Sequence, residues 1–206
     1  MTSGLKLFQT DRRDIYCFAD SVELCERLLD AGAGIIQLRE KTLDDDAFRQ
    51  LAKEMVHRVN QVENAVLIIN DRVDIAIEVR AHGIHVGQGD EDVKGVISRV
   101  PDHMIIGVSV GNVREAREAK QAGADYVGAG AIFPTATKSD ADIIGLDGLR
   151  SIVAGCDVPV VAIGGITREN ISQVRNAGAH YFAMISEVNH TDDISARLGE
   201  LQTMIR

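Results

Sequence analysis

The residues best suited to chemistry in this chain are a run of cations and two aspartates. Gln37-Leu38-Arg39-Glu40-Lys41 closes an apolar stretch, and period-two alternation in a strand sends Gln37, Arg39 and Lys41 to one face and Leu38 and Glu40 to the other. Ile69-Asn70-Asp71-Arg72 and Gly87-Gln88-Gly89-Asp90 each follow an apolar run with a carboxylate. Two carboxylates with no His or Cys beside them suit a hard cation such as Mg²⁺, which takes one or two carboxylates and completes its shell with water and phosphate oxygens. Taken singly, either Asp would serve as a helix N-cap, and Gln37–Lys41 as a solvated strand end with a surface ion pair. Together they point to a metal and a diphosphate.

Further along, Gly107-Val-Ser109 puts a hydroxyl at a strand end, and the run from Gly128 to Lys138 combines small residues with Thr135, Thr137 and Lys138. Small residues let a ligand approach the backbone, and hydroxyls followed by a Lys offer donors to an anion; the plain alternative is a Thr/Lys turn in solvent. Gly164-Gly165, with Thr167 as the expected cap of a helix, and Ile185-Ser186 at the end of the last apolar run read as backbone donors for a second phosphate. The six His have no metal-ligand spacing, and His85, inside an apolar run, reads as an interior residue rather than a base. No nucleophile has an adjacent base, which favours catalysis by positioning and electrostatics.

These groups need a scaffold that gathers strand ends. Eight short runs have strand character: Asp14–Asp20, Gly34–Glu40, Val66–Asp71, Gly83–Gln88, Ile105–Val110, Tyr126–Gly130, Pro159–Gly165 and Tyr181–Ser186. Helical spacing lies between them, as in Asp44–Val62 and in Asn112–Gln121 with Asn112 as N-cap. Ala-Gly-Ala recurs at 31–33, 122–124 and 177–179, with the Gly expected to end a helix in the left-handed conformation. Strand–helix units of about 26 residues fit a small (β/α)₈ barrel, whose chemistry sits at the carboxyl ends of its strands and whose usual phosphate site follows strands seven and eight.

Composition narrows the partners. The 206 residues fit one barrel domain spanning 1–206, and the net charge of −9 with 4% aromatic residues leaves a nucleic-acid partner without an electrostatic basis. No run of eighteen apolar residues suggests a membrane span, and the opening residues lack an apolar secretory core, so the cytoplasm is the expected location. The three Cys (17, 25 and 156) form no metal or disulfide pattern and read as buried thiols.

The ordered words QLREK, INDR, GQ-x-D, GVS, FPT-x-TK, AIGGI and IS, from residue 37 to 186, resemble the thiamine phosphate synthase family. The resemblance implies a transferase that joins 4-amino-2-methyl-5-(diphosphooxymethyl)pyrimidine to a thiazole ethyl phosphate, plain or carboxylated, with Mg²⁺ and release of diphosphate. It takes the whole Gln37–Lys41 word, Leu38 and Glu40 included, as substrate-binding. Gln37, Arg39, Lys41, Asn70, Ser109 and Lys138 go to the pyrimidine diphosphate, with catalytic roles for Arg39, Lys41, Lys138 and Ser109. Asp71 and Asp90 go to Mg²⁺, and Thr135, Ala136, Thr137, Gly165, Ile185 and Ser186 to the thiazole phosphate. The implied mechanism is dissociative, through a pyrimidine methyl cation that the thiazole nitrogen captures. Two features depart from the pattern: Glu187 stands where relatives tend to carry a small residue, and Gly89 where an acidic one is frequent.

Two other readings remain open. The thiazole tautomerases of the same barrel family generally lack the second acidic ligand and carry a His before the Ile-Phe of the sixth loop, where this chain has Asp90 and Ala131. A non-catalytic phosphometabolite-binding barrel could keep the same anion sites. A homo-oligomer is an expectation with no sequence signal of its own.

Overall fold

Parallel strands need a crossover between neighbours, and here the amphipathic stretches supply it. In a computed structural model that describes residues 7–87, 93–135 and 142–206, the elements run β1 (Asp14–Ala19), α1 (Val22–Asp30), β2 (Ile35–Leu38), α2 (Asp45–Val59), β3 (Val66–Asn70), α3 (Val73–Glu78), β4 (Gly83–Val86), α4 (Val93–Arg99), β5 (Ile105–Val110) and α5 (Val113–Ala122). They continue as β6 (Tyr126–Ala129), α6 (Gly145–Gly155), β7 (Val160–Ile163), α7 (Ile171–Asn176), β8 (Tyr181–Ala183), α8 (Ile185–Asn189) and α9 (Ile194–Ile205). Each strand pairs in parallel with the next, and β1 pairs with β8, which closes the (β/α)₈ barrel.

Alternation along the strands divides the core in two. Ile36, Leu38, Leu67, Ile69, Val108 and Val127 face the helices, whereas Tyr16, Ile35, Val66, Ile68, Ile105, Tyr126 and Tyr181 fill the barrel interior. The interior also takes Leu7 and Phe8, which precede β1. Phe8 stacks on Tyr126 with ring centroids 4.3 Å apart. The Tyr181 hydroxyl accepts from the Gln9 N–H at 2.8 Å and donates to the Leu7 carbonyl, so this segment plugs the amino-terminal mouth and leaves the carboxyl-terminal mouth open.

Local signals set the helix ends. Asn112 accepts from the Glu115 N–H at 3.0 Å and caps α5, and Asp44 accepts from the Ala47 N–H at 2.9 Å and caps α2. The Ala-Gly-Ala glycines are left-handed as expected, with φ of 83° at Gly32, 112° at Gly123 and 97° at Gly178. All three Cys are buried and free. Among the described residues no helix is long and apolar enough to cross a membrane.

Several boundaries differ from the sequence reading. β8 stops at Ala183 rather than Ser186, where its pairing with β7 runs out: Ala183 faces Ile163, the last residue of β7, and Gly164 then turns the chain away with φ of 100°. Ile185 and Ser186 therefore open α8. β2 ends at Leu38 and α2 at Val59, each short of the extent its apolar pattern indicates.

Two histidines close ladder positions at the amino-terminal rim. His82 Nδ1 accepts from the Leu67 N–H at 3.2 Å, and His180 Nδ1 accepts from the Val160 N–H at 3.1 Å. Burial holds both rings below the ordinary histidine value of 6.5, so unfolding lets each take up a proton more readily. The histidine contribution to stability is whole above pH 6.5 and declines as pH falls below it. Denaturant unfolding between pH 7 and 5 should show this decline, and the His82→Asn/His180→Asn double variant, whose side-chain carbonyls also accept, should make it shallower; the decline that remains belongs to His85, which burial also holds below 6.5.

Candidate active site

The open mouth leads into a cavity of about 530 Å³ at the carboxyl ends of the strands, within the size range of small-molecule sites. Gln37, Arg39 and Lys41 line it from β2 and the loop beyond. Gln37 is only 3% exposed despite its polarity, and its Nε2 donates to the Tyr16 hydroxyl at 2.8 Å. No carboxylate of the described residues pairs with Arg39, and the Lys41 ammonium donates to the Asp71 carboxylate. That pair is half open to water, with side-chain exposures of 53% and 25%, and such pairs are worth at most about 1 kcal/mol. Little therefore opposes a transfer of Lys41 to a ligand oxygen.

Asp71 is not a helix cap. α3 begins after Arg72 with no side-chain cap bond, and the Asp71 carboxylate takes hydrogen bonds from Lys41 and, at 2.7 Å, from Asn70 Nδ2. Its backbone is left-handed, φ 61°, a conformation Asp tolerates better than most residues and one that concentrates at functional sites. An acceptor-only group at the cavity wall fits a hard divalent cation. Among the described residues no cluster of three potential metal-ligating side chains gathers, so such an ion would draw the rest of its shell from water and ligand oxygens. Asp90, the other expected ligand, lies outside the described residues.

On the far wall, the loop after β6 is pinned to the loop after β7. The Ile132 and Phe133 N–H groups donate to the Ile163 and Gly164 carbonyls at 2.9 and 3.0 Å. A Cβ on Gly164 would come within 2.6 Å of the Ala131 Cβ, and one on Gly165 within 2.5 Å of the Pro134 carbonyl oxygen, so both positions need glycine. Gly165, with φ of 62°, lines the cavity together with Thr135, Ile185 and Ser186. Ala136, Thr137 and Lys138 lie outside the described residues.

The family described as thiamine monophosphate synthase has a sequence model that matches residues 7–188. The chain belongs to the thiamine monophosphate synthase family. A thiamine-phosphate synthase of Alkaliphilus oremlandii is 40% identical, covering 97% of this chain and 95% of the relative; one of Pyrococcus abyssi is 40% identical, covering 98% and 95%. A solved structure described as a thiamine phosphate pyrophosphorylase from Pyrococcus furiosus superimposes with a TM-score of 0.86 at 35% identity, covering 95% of this chain and 96% of that one. A 3-hexulose-6-phosphate synthase, at 18% identity and a TM-score of 0.68 over 95% and 98% of the two chains, shares the fold alone. Like the relatives so named, the chain is an enzyme, a transferase.

Within this family's word Gln37–Lys41, two residues point away from the cavity. Leu38 is fully buried against the helices, as strand alternation requires. Glu40 accepts from the backbone N–H groups of Thr42 and Leu43 at 2.8 and 2.6 Å; the Thr42 hydroxyl and these amides hold its carboxyl below the ordinary range. Its place is to shape the loop that carries Lys41. Thr167 is likewise no helix cap: its N–H donates to Asn170 Oδ1 at 2.8 Å while Asn170 Nδ2 donates to the Gly165 carbonyl at 2.9 Å. Asn170, which the sequence did not single out, thus braces the Gly164–Gly165 turn.

The interior also holds a chain of polar groups beneath Gln37. Tyr16 and Tyr126 hydroxyls lie 2.8 Å apart, Tyr126 meets His85 Nδ1 at 3.0 Å, and His85 Nε2 meets Ser109 Oγ at 2.9 Å. Burial lowers the His85 pKa to about 4, so the ring is neutral near pH 7. It is interior, as expected from its place in a strand, yet it lines the cavity.

Glu187 does line the cavity near Ser186, but its charge is compensated. Arg197 Nη1 reaches its carboxylate at 2.6 Å and Arg168 Nε at 3.7 Å, and both arginines also meet Glu200. Arg197→Ala should therefore expose a carboxylate beside the anion site and weaken inorganic phosphate binding about fivefold, roughly 1 kcal/mol. Calorimetry should show Glu187→Gln restoring affinity in that background; a double variant as weak as Arg197→Ala would contradict the compensation.

Proposed function

We propose that the enzyme couples 4-amino-2-methyl-5-(diphosphooxymethyl)pyrimidine to a thiazole ethyl phosphate, forming thiamine phosphate and releasing diphosphate. The observation that carries this reading is convergence. Gln37, Arg39, Lys41, Asn70, Asp71, Ser109, Thr135, Gly165, Ile185 and Ser186 come from separate strand ends to one cavity, acidic and cationic groups on one wall and glycine turns on the other. The relatives are named for the same product.

In this reading Gln37 and Asn70 orient the pyrimidine, and Ser109, Arg39, Lys41 and Lys138 hold the diphosphate. The methylene–oxygen bond breaks first, its electron pair leaving on the diphosphate while the pyrimidine ring and its amino group delocalise the cation. Arg39, Lys41 and Lys138 meet the charge that grows on the leaving oxygens, in a site where fixed cations act more strongly than in water. Backbone donors around Gly165, Ile185 and Ser186, with Thr135, Ala136 and Thr137, hold the thiazole phosphate so that its ring nitrogen faces the cation and captures it. Mg²⁺, when bound, would sit on Asp71 and Asp90 and act as a Lewis acid toward the diphosphate.

The tautomerase reading is less well supported. The cavity wall beside Gly164 carries the Ala131 methyl, so no imidazole occupies that place. Incubation with the pyrimidine diphosphate, the thiazole phosphate and Mg²⁺ should give thiamine phosphate and diphosphate, and EDTA or Asp90→Ala should abolish both. Asp71→Asn should lower turnover mainly at low Mg²⁺ while leaving the thermal midpoint nearly unchanged. Isomerisation of a carboxythiazole phosphate without coupling would instead support the tautomerase, and neither activity would support a binding protein.

A further inference from the structure

The polar chain inside the barrel has a direction. Gln37 Nε2 can only donate, so the Tyr16 oxygen accepts from it at 2.8 Å. The Tyr16 hydrogen then goes to the Tyr126 oxygen, 2.8 Å away, and the Tyr126 hydrogen goes to His85 Nδ1 at 3.0 Å. A neutral imidazole that accepts at Nδ1 carries its hydrogen on Nε2, and that nitrogen lies 2.9 Å from Ser109 Oγ.

We propose that Tyr16, Tyr126 and His85 are positioning residues that carry the fixed donor of Gln37 to Ser109, holding His85 as the Nε2–H tautomer and fixing the Ser109 oxygen as the acceptor of that hydrogen, so that the Ser109 hydroxyl is held in one orientation at the wall of the cavity where an anionic ligand would bind. The neighbouring strands are cut to receive this relay. A Cβ on Gly107 would meet the Tyr126 ring at 2.1 Å, and one on Gly128 would meet His85 Cε1 at 2.9 Å. Phe8 stacks on the Tyr126 ring from below. Two buried phenols and a buried imidazole would each be costly without partners, and here every one is partnered in a single line that ends at the cavity. The relay joins the residue read as orienting the pyrimidine to one read as holding its diphosphate. That final link rests on the proposed function; the tautomer does not.

The test has two arms. Nitrogen-15 NMR of histidine-labelled protein at pH 7 should show His85 with a pyridine-type Nδ1 and a pyrrole-type Nε2, and Tyr126→Phe, which keeps the ring and its stacking, should disturb this pattern. Binding of inorganic diphosphate with Mg²⁺ should weaken about tenfold in Tyr126→Phe and in Ser109→Ala. The double variant should match Ser109→Ala within about twofold, because Tyr126 acts only through the hydroxyl. An Nδ1–H tautomer or an imidazolium in the native protein, or losses that add in the double variant, would overturn the relay. A native protein that has the Nε2–H tautomer but neither binds magnesium diphosphate nor forms thiamine phosphate would instead overturn the proposed function and leave the tautomer standing.

Discussion

Closure of the parallel sheet is the constraint on which everything else in this molecule depends. Once β8 hydrogen-bonds to β1, no strand has a free edge, and every second side chain must point into one narrow interior. Near the amino-terminal mouth those positions hold Ile35, Val66, Ile105, Tyr126 and Tyr181, packed with Leu7 and Phe8. Toward the other mouth β2, β3, β4 and β5 supply Gln37, Asn70, His85 and Ser109. The change from apolar to polar along β2, β3 and β5 makes one end a core and the other a site, so the residues that stabilise the barrel also orient those that line the cavity.

The two walls of the cavity are built by different means. The wall from β2 and β3 is made of side chains: Arg39, which no carboxylate of the described residues pairs, the half-exposed Lys41–Asp71 pair and Asn70, all able to exchange partners at little cost. The wall from the loops after β6, β7 and β8 is made of backbone, with Gly164 and Gly165 pressed against Ala131 and Pro134 so closely that no Cβ would fit. A rearrangeable charged wall suits a leaving group whose charge grows during reaction, and a rigid backbone wall suits a phosphate that only anchors its ligand.

Much of this was legible in the sequence because its signals are local. Alternation placed Gln37, Arg39 and Lys41 on one face, the Ala-Gly-Ala glycines marked helix ends, and the order of polar words at strand ends indicated both the fold and the family. What was not legible depends on register between distant strands. Tyr16 and Tyr126 are 110 positions apart, and their hydroxyls meet only because the barrel closes; within DIYCFA the tyrosine sits among apolar residues with no polarity alternation to mark it. The apolar run Tyr181–Ser186 could not reveal that its neighbour β7 ends level with Ala183, and Glu187 read as an intruder because its partners, Arg168 and Arg197, lie on other elements.

The central claim is that one cavity holds two anionic ligands at once, one with a metal and one without. The most direct measurement is calorimetric titration of the thiazole phosphate into protein saturated with inorganic diphosphate and Mg²⁺, ligands that cannot react with each other. The account predicts that both bind together and that EDTA releases the diphosphate while the thiazole phosphate stays. Mutual displacement, or loss of both ligands on adding EDTA, would contradict it.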